Sequence, residues 1–211
     1  MERRGLLLVI SGFAGSGKGT ICKELMKQYD NYAFSVSATT RDPRPGEKDG
    51  VDYFFITKER FEEMIEGNEL LEYAQYVSNY YGTPRKYVEE KLQEGKDVIL
   101  EIECQGALQV KEIFPEAVLF FVMPPNVREI YNRLKGRGTE TEEVILKRMR
   151  RGQEEAEVIA KYDYLLINDD LMETVAHLHE TLNCARYSAD RNKGLIEEIK
   201  SEFITFFEEH T

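Results

Sequence analysis

The sequence predicts an α/β fold: a mainly parallel sheet with helices packed on both faces. Three observations lead there. Short apolar, β-branched or aromatic runs recur along the 211 residues, helix-period stretches separate most of them, and the first apolar run ends in a glycine cluster that opens a helix. Strands that alternate with helices in this way pair in parallel, because each helical crossover returns the chain to the same end of the sheet.

In order, Leu6–Ile10 reads as a buried strand, followed by the glycine cluster and a helix over Thr20–Tyr29. Strand-like runs follow at Phe34–Ala38 and Asp52–Ile56, a helix at Lys58–Glu66, and a further strand at Leu70–Val77. A helix at Pro84–Gln93, a strand at Val98–Ile102, a helix at Gly106–Phe114 and a strand at Ala117–Met123 restore the regular alternation. The helices Asn126–Lys135 and Thr141–Lys161 precede the last strand, Tyr164–Asn168, and Asn192-Lys193-Gly194 separates a helix at Asp170–Tyr187 from a final one at Leu195–Glu209. Residues 34–83 crowd three strand-like runs and two polar loops around one helix, which marks a strand-rich insertion. The length suits one domain. We expect its core at 1–33, 84–125 and 157–211, the insertion at 34–83 and a helical excursion at 126–156.

Composition narrows the function. Lys+Arg 28 against Asp+Glu 39 leaves a net charge of −11, which disfavours non-specific nucleic-acid binding, so any phosphate must be gripped by a local cluster. Arg41 with Arg44, and Arg133, Arg137, Arg148, Arg150 and Arg151, are such clusters. No run approaches the ~18 apolar residues of a membrane span, and the five apolar residues after Met1-Glu2-Arg3-Arg4-Gly5 are too few for a signal-peptide core of roughly 7–15. Cys22, Cys104 and Cys184 are widely spaced and form no CxxC, so they read as small buried hydrophobes in a reducing compartment. A cytoplasmic chain without membrane or nucleic-acid partners, monomeric or homodimeric, is the expectation.

The glycine cluster carries chemistry. A buried strand that ends in a glycine loop and opens a helix presents consecutive backbone N–H groups to a phosphate. Gly12-Phe13-Ala14-Gly15-Ser16-Gly17-Lys18 matches the phosphate-loop pattern in that context, and Lys18 would reach the β- and γ-phosphates of a nucleotide. Gly19 occupies the position where Ser or Thr normally ligates Mg²⁺, with Thr20 one residue later.

Between residues 34 and 56 the chain reads FSVSATTRDPRPGEKDGVDYFFI, in which Arg41, Arg44, Tyr53 and, further on, Tyr81 offer forked and single donors for one dianionic phosphate. Glu72, Ser37 and Thr83 form the set a guanine edge needs: guanine has donors at both N1 and N2, which one carboxylate accepts together, whereas adenine N1 is itself an acceptor. The pattern Ser-x-Ser-x-Thr-Thr-Arg-x-x-Arg-x-x-Glu-x-x-Gly-x-x-Tyr from Ser35 to Tyr53 resembles the guanylate kinases. LLEYAQYVSNYYGTP, VILEIECQGA, RLKGRGTETEE and INDDL follow in that family's order, and the likeness spans about residues 5 to 190.

The resemblance implies a phosphate-loop three-layer sandwich with a strand-rich GMP-binding insertion and a helical lid. It implies transfer of a phosphoryl group from ATP, with Mg²⁺, to GMP and dGMP. It places Arg41, Arg44, Tyr53 and Tyr81 on the GMP phosphate, and Ser37, Glu72 and Thr83 on the base. Glu101 and Glu103, two apart at the end of a strand and so pointing the same way, become the acidic pair facing Lys18, the metal and GMP. The family usually has Asp at the second of these positions. Metal ligands are then Thr20 and Glu101, the latter directly or through water. The catalytic set is Lys18, Arg44, Arg137 and Arg148. ATP lies on residues 12–20 with Arg133, Asn168 and Asp169, while Arg150 and Arg151 read as surface. Two alternatives stay open: a guanylate-kinase-like interaction module, and a kinase for another monophosphate such as AMP, since Gly-Lys-Gly-Thr is an ending associated with the adenylate kinases.

Overall fold

In the computed structural model, residues 4–76, 78–136, 138 and 141–210 are described. A five-stranded parallel sheet runs in the order β2 (Tyr32–Phe34), β7 (Asp97–Glu101), β1 (Leu7–Gly12), β8 (Val118–Met123), β9 (Tyr164–Ile167). The first strand to be synthesised is thus the central one, flanked by β7 and β8.

Alternation along β1 sorts its side chains to two cores. Leu7 and Val9 pack with Val88 and Leu92 of α3 (Arg85–Gln93), Ala107 and Val110 of α4 (Cys104–Ile113), Ile130 and Leu134 of α5 (Val127–Gly136) and Ile145 of α6 (Glu142–Ala156). Leu8 and Ile10 face Ile21, Cys22 and Leu25 of α1 (Lys18–Gln28) and Val175, Leu178 and Leu182 of α7 (Leu171–Ala185). Helices therefore cover both faces, as the sequence predicts.

The second sheet is mixed, in the order β4 (Phe54–Phe55), β3 (Ala38–Thr39), β6 (Asn79–Pro84), β5 (Leu70–Tyr76). Its small core joins Ala38 and Leu70 to Phe61 and Met64 of α2 (Lys58–Glu66), a helix capped by the Thr57 hydroxyl. The expected strand Phe34–Ala38 is divided: Phe34 ends β2 in one sheet, Ala38 opens β3 in the other, and Ser35–Ser37 cross between them. Strand β6 is an addition to the expected elements, its apolar alternation hidden by Gly82 and Pro84. Thr141–Lys161 is likewise two pieces, α6 and a 3₁₀ turn at Ile159–Lys161.

Strand β5 contains the irregularity that matters most. Leu70 lies opposite Pro84 but Tyr73 lies opposite Gly82, so β5 holds one extra residue. A bulge lets consecutive side chains point inward. Leu71 and Glu72 are both buried, the first in the main core and the second toward the carboxyl edge of the main sheet.

At the opposite edge, fully buried Asp97 accepts from Leu6 N at 2.8 Å and Asn31 Nδ2 at 2.7 Å and pairs with Arg186, tying β1, β2 and α7 to the start of β7. Cys22 and Cys104 are buried as expected, but Cys184 is exposed on α7. Helix α8 (Lys193–Glu209) has no buried residue. Among the described residues no helix is long and apolar enough to cross a membrane.

Candidate active site

The glycine loop after β1 is shaped by close approaches that exclude a Cβ. A side chain at Gly12 would place its Cβ 2.1 Å from Val122 O, and one at Gly17 would come within 2.4 Å of Asn168 Nδ2. Gly17 caps α1 with φ +93°, a conformation glycine adopts without strain. The loop is bolted from outside: Asn168, buried at the end of β9, donates its side-chain amide to Ser16 O at 2.7 Å and accepts at its own carbonyl from Arg133 Nη2 at 2.9 Å. Lys18 Nζ lies back over the loop, donating to Gly12 O at 2.6 Å and Phe13 O at 3.2 Å. Thr20 is exposed on the first turn of α1.

Beside the loop stands Glu101, at the carboxyl end of β7. A Cβ at Gly19 would lie 3.5 Å from its Oε2, so the carboxylate faces the place a hydroxyl side chain would take. Burial raises the Glu101 pKa, and Lys18 opposes the rise. Burial raises the Tyr53 pKa, with smaller contributions from Tyr81 and Glu101.

Two polar groups gather on the second sheet. In the first, the Arg41 guanidinium lies 5.3 Å from the Tyr53 ring centroid, and Tyr53 and Tyr81 meet edge to face at 6.1 Å. Glu47 holds the Arg41 fork in a bidentate pair of 2.9 and 3.0 Å and accepts from Arg44 N at 2.7 Å. In the second, Glu72 accepts from the Thr83 hydroxyl at 2.7 Å, with both residues buried. Desolvation pushes the Glu72 pKa up to about 7, against the lowering effect of Thr83. Its other oxygen presses on α4, where a Cβ at Gly106 would lie 2.5 Å from Oε2. Ser37 sits in the crossing between the sheets, where its carbonyl accepts from Phe54 N.

The remaining expected residues within the described segments are Arg133, Arg148, Asp169 and Glu103. Arg133 projects from α5 to the Asn168 carbonyl and pairs with Glu129 at 2.8 Å. Arg148 is exposed on α6, Asp169 is exposed after β9, and Arg137 lies outside the described residues. Glu103 caps α4 only through its backbone; its carboxylate instead pairs with Arg151 Nη2 at 3.0 Å, and Arg151 Nε reaches Glu155 at 3.2 Å. Arg151, read from sequence as surface, thus joins α6 to the end of the β7–α4 turn.

The candidate residues accordingly fall into three described groups: the loop with Lys18, Glu101 and Asn168; the arginine–tyrosine cluster; and the Glu72–Thr83 pair. Two contributors are absent from the sequence expectations. Gly106 has a detectable signal, since a glycine inside a helix costs about 1 kcal/mol relative to alanine and so has a packing reason. Glu47 belongs to the quoted motif, but only the coordinates assign it the Arg41 fork.

Comparison with known proteins converges on one family. The family model for guanylate kinase matches residues 4–185. Guanylate kinase of Clostridioides difficile is 52% identical over 201 residues, covering 95% of this chain and 98% of that one. The Halalkalibacterium halodurans guanylate kinase is 59% identical over 170 residues, covering 81% and 83%. Among solved structures, guanylate kinase from Anaplasma phagocytophilum superimposes with a TM-score of 0.75 at 32% identity, covering 96% of this chain and 97% of that chain. With the intact phosphate loop and the two polar groups opposite it, these likenesses establish that the chain belongs to the guanylate kinase family.

Proposed function

We infer that this enzyme phosphorylates GMP, moving the terminal phosphoryl group of ATP onto a phosphate oxygen of GMP to give ADP and GDP, and that dGMP is also accepted. The observation that carries the reading is the buried Glu72–Thr83 pair, a carboxylate with one oxygen on a hydroxyl and the other turned toward α4. A buried acceptor of this kind suits two parallel N–H donors on one ligand edge, as guanine N1 and N2 present.

Phosphoryl transfer needs positioning and positive charge more than a covalent nucleophile. The loop amides of residues 13–20 would cradle the ATP phosphates at the N-terminus of α1, and Lys18 would exchange its carbonyl partners for the migrating group. Arg41, released from Glu47, would grip the GMP phosphate with Arg44, Tyr53 and Tyr81, while Ser37 joins Glu72 and Thr83 at the base. Arg137 and Arg148 would bring charge from the lid, residues 126–156, and Arg133, Asn168 and Asp169 would form the nucleotide side of the loop. Glu101 and Glu103 would orient the acceptor side. Mg²⁺ fits this donor set: a carboxylate and a hydroxyl at Glu101 and Thr20 are hard oxygen ligands, and this ion is commonly held by one or two carboxylates together with substrate phosphates. Bound there, it would neutralise charge on the β- and γ-phosphates.

The test is ADP release with GMP, dGMP, AMP and CMP as acceptors, in the wild type and in Glu72→Gln. The amide keeps the size, but its NH₂ meets one guanine donor with no acceptor between, so kcat/KM for GMP should fall by about 10²-fold or more while AMP suffers less. An unchanged GMP-to-AMP ratio would remove Glu72 from base recognition.

A further inference from the structure

Among residues 12–20 Phe13 alone carries a large apolar side chain, and that side chain is buried. Phosphate binding does not ask for it, because such a loop holds its ligand through backbone N–H groups. The ring has other neighbours. It meets Phe121 of β8 edge to face at 4.9 Å between centroids, and Phe121 meets Tyr162 in the same way at 5.2 Å, so an aromatic chain fixes Phe13 to the main sheet. The ring also meets α6. Among the described residues, a Cβ at Gly152 would approach only this ring outside its own helix, Cδ1 at 3.4 Å and Cε1 at 3.9 Å. A methyl group would just fit there, and a longer side chain would lift the helix off the ring.

Ile145, Met149 and Gly152 fall four and three apart and so share one face of α6. Ile145 is buried in the main core and Met149 packs against it, which makes Gly152 the continuation of the inward face. Arg148 stands one turn before Gly152, so the position of the helix on the ring decides the position of that arginine. The Glu103–Arg151 pair also ties α6 to the β7–α4 turn, but both side chains are exposed and such a pair constrains weakly. The backbone of Phe13 holds the other cation, since Lys18 Nζ donates to Phe13 O at 3.2 Å. We propose that Phe13 is a positioning residue for phosphoryl transfer: its ring seats α6 at Gly152 and thereby fixes where Arg148 stands relative to Lys18. The inference rests on the proposed phosphorylation of GMP and on the charge that Arg148 brings to it.

Steady-state ADP release at saturating ATP tests this. A misplacement of about 1 Å can cost about 10²-fold in rate, so Phe13→Ala, which removes the seat, and Gly152→Leu, which lifts the helix from it, should each lower kcat by about 10- to 100-fold. KM for GMP should stay within about threefold, because the groups assigned to GMP lie on the second sheet. Gly152→Leu keeps the test intact where the cavity left by Phe13→Ala costs stability, since leucine is a strong helix former. In the double variant Phe13→Ala/Gly152→Leu the leucine fills the vacated seat, and most of the loss should be recovered. In an Arg148→Ala background Gly152→Leu should change kcat by less than about threefold, because an arginine that is gone cannot be misplaced. Equal losses from Gly152→Leu in the two backgrounds would overturn the proposal, as would an active wild type whose kcat is indifferent to Gly152→Leu. A wild type that does not phosphorylate GMP would overturn the underlying reading, and this inference with it.

Discussion

At the scale of one residue, Glu72 is held in place by three departures from regular structure. The extra residue in β5 turns it inward beside Leu71, Thr83 supplies a hydroxyl, and Gly106 withholds a Cβ. Its pKa of about 7, raised by burial from the ordinary 4.5, has a definite sign. The fold favours the neutral acid, so this group's contribution to stability is complete below about pH 4.5 and is lost as the pH rises through about 7. Two guanine donors favour the carboxylate instead. GMP binding near pH 6 should therefore release a proton from Glu72, and titration calorimetry in buffers of different ionisation enthalpy should detect it. In Glu72→Gln only the smaller proton exchange of the ligand phosphate should remain; equal proton release in both proteins would mean that Glu72 is already ionised without ligand. Gly106→Ala separates fold from function: helix propensity favours alanine by about 1 kcal/mol, yet the new Cβ displaces the Glu72 carboxylate. KM for GMP should rise about tenfold while thermal unfolding changes little. Chemistry and motif spacing singled out Glu72 and Thr83, and the structure brings the two into contact at 2.7 Å. The bulge and the Gly106 approach were not legible in the sequence, because they depend on which strand pairs with β5 and which helix crosses above it.

At the scale of elements, α6 carries two arginines that we expect to do different work. Arg151 pairs with exposed Glu103, where an ion pair contributes at most about 1 kcal/mol, and with Glu155, whose side chain is largely buried. Arg148 stands on the same helix, in the segment expected to act as a lid. Arg148→Ala should lower kcat by about 10²–10³ with little change in KM for GMP, as expected of charge supplied mainly in the transition state. Arg151→Ala should stay within about fivefold of the wild type. Equal losses in steady-state assays of the two variants would mean that the Glu103–Arg151 pair shapes the site as much as Arg148 does. Elements were legible in the sequence where one period ran uninterrupted, as in α2, whose bounds match the expectation. They were not where tertiary pairing decides: Phe34–Ala38 is one apolar run, but two sheets claim its ends. Asn168 shows the same limit. It is expected beside ATP, and its side-chain amide is committed to the Ser16 carbonyl, a bond between residues 152 positions apart.

For the whole molecule, the central place of β1 has a consequence for synthesis. Leu8 and Val9 need Ile99 and Leu100 on one side and Val118 and Leu119 on the other. At roughly 5–20 residues per second, the ribosome leaves this apolar strand bare for about 5–20 s before either neighbour emerges. During that interval the strand-rich insertion is already complete, with its own small core around Phe61. Stalled nascent chains should report the order: those exposing residues up to about 95 should show a protease-resistant insertion and a cleavable N-terminal strand, and protection of β1 should appear only once about residue 125 has cleared the exit tunnel. Protection of β1 at the shorter length would mean that the insertion shelters it. Two open edges on a hydrophobic strand, reduced to one when β7 emerges, are what a chaperone would recognise, so the nascent chain's dependence on such help should fall with β7 and end with the sequence VLFFVM.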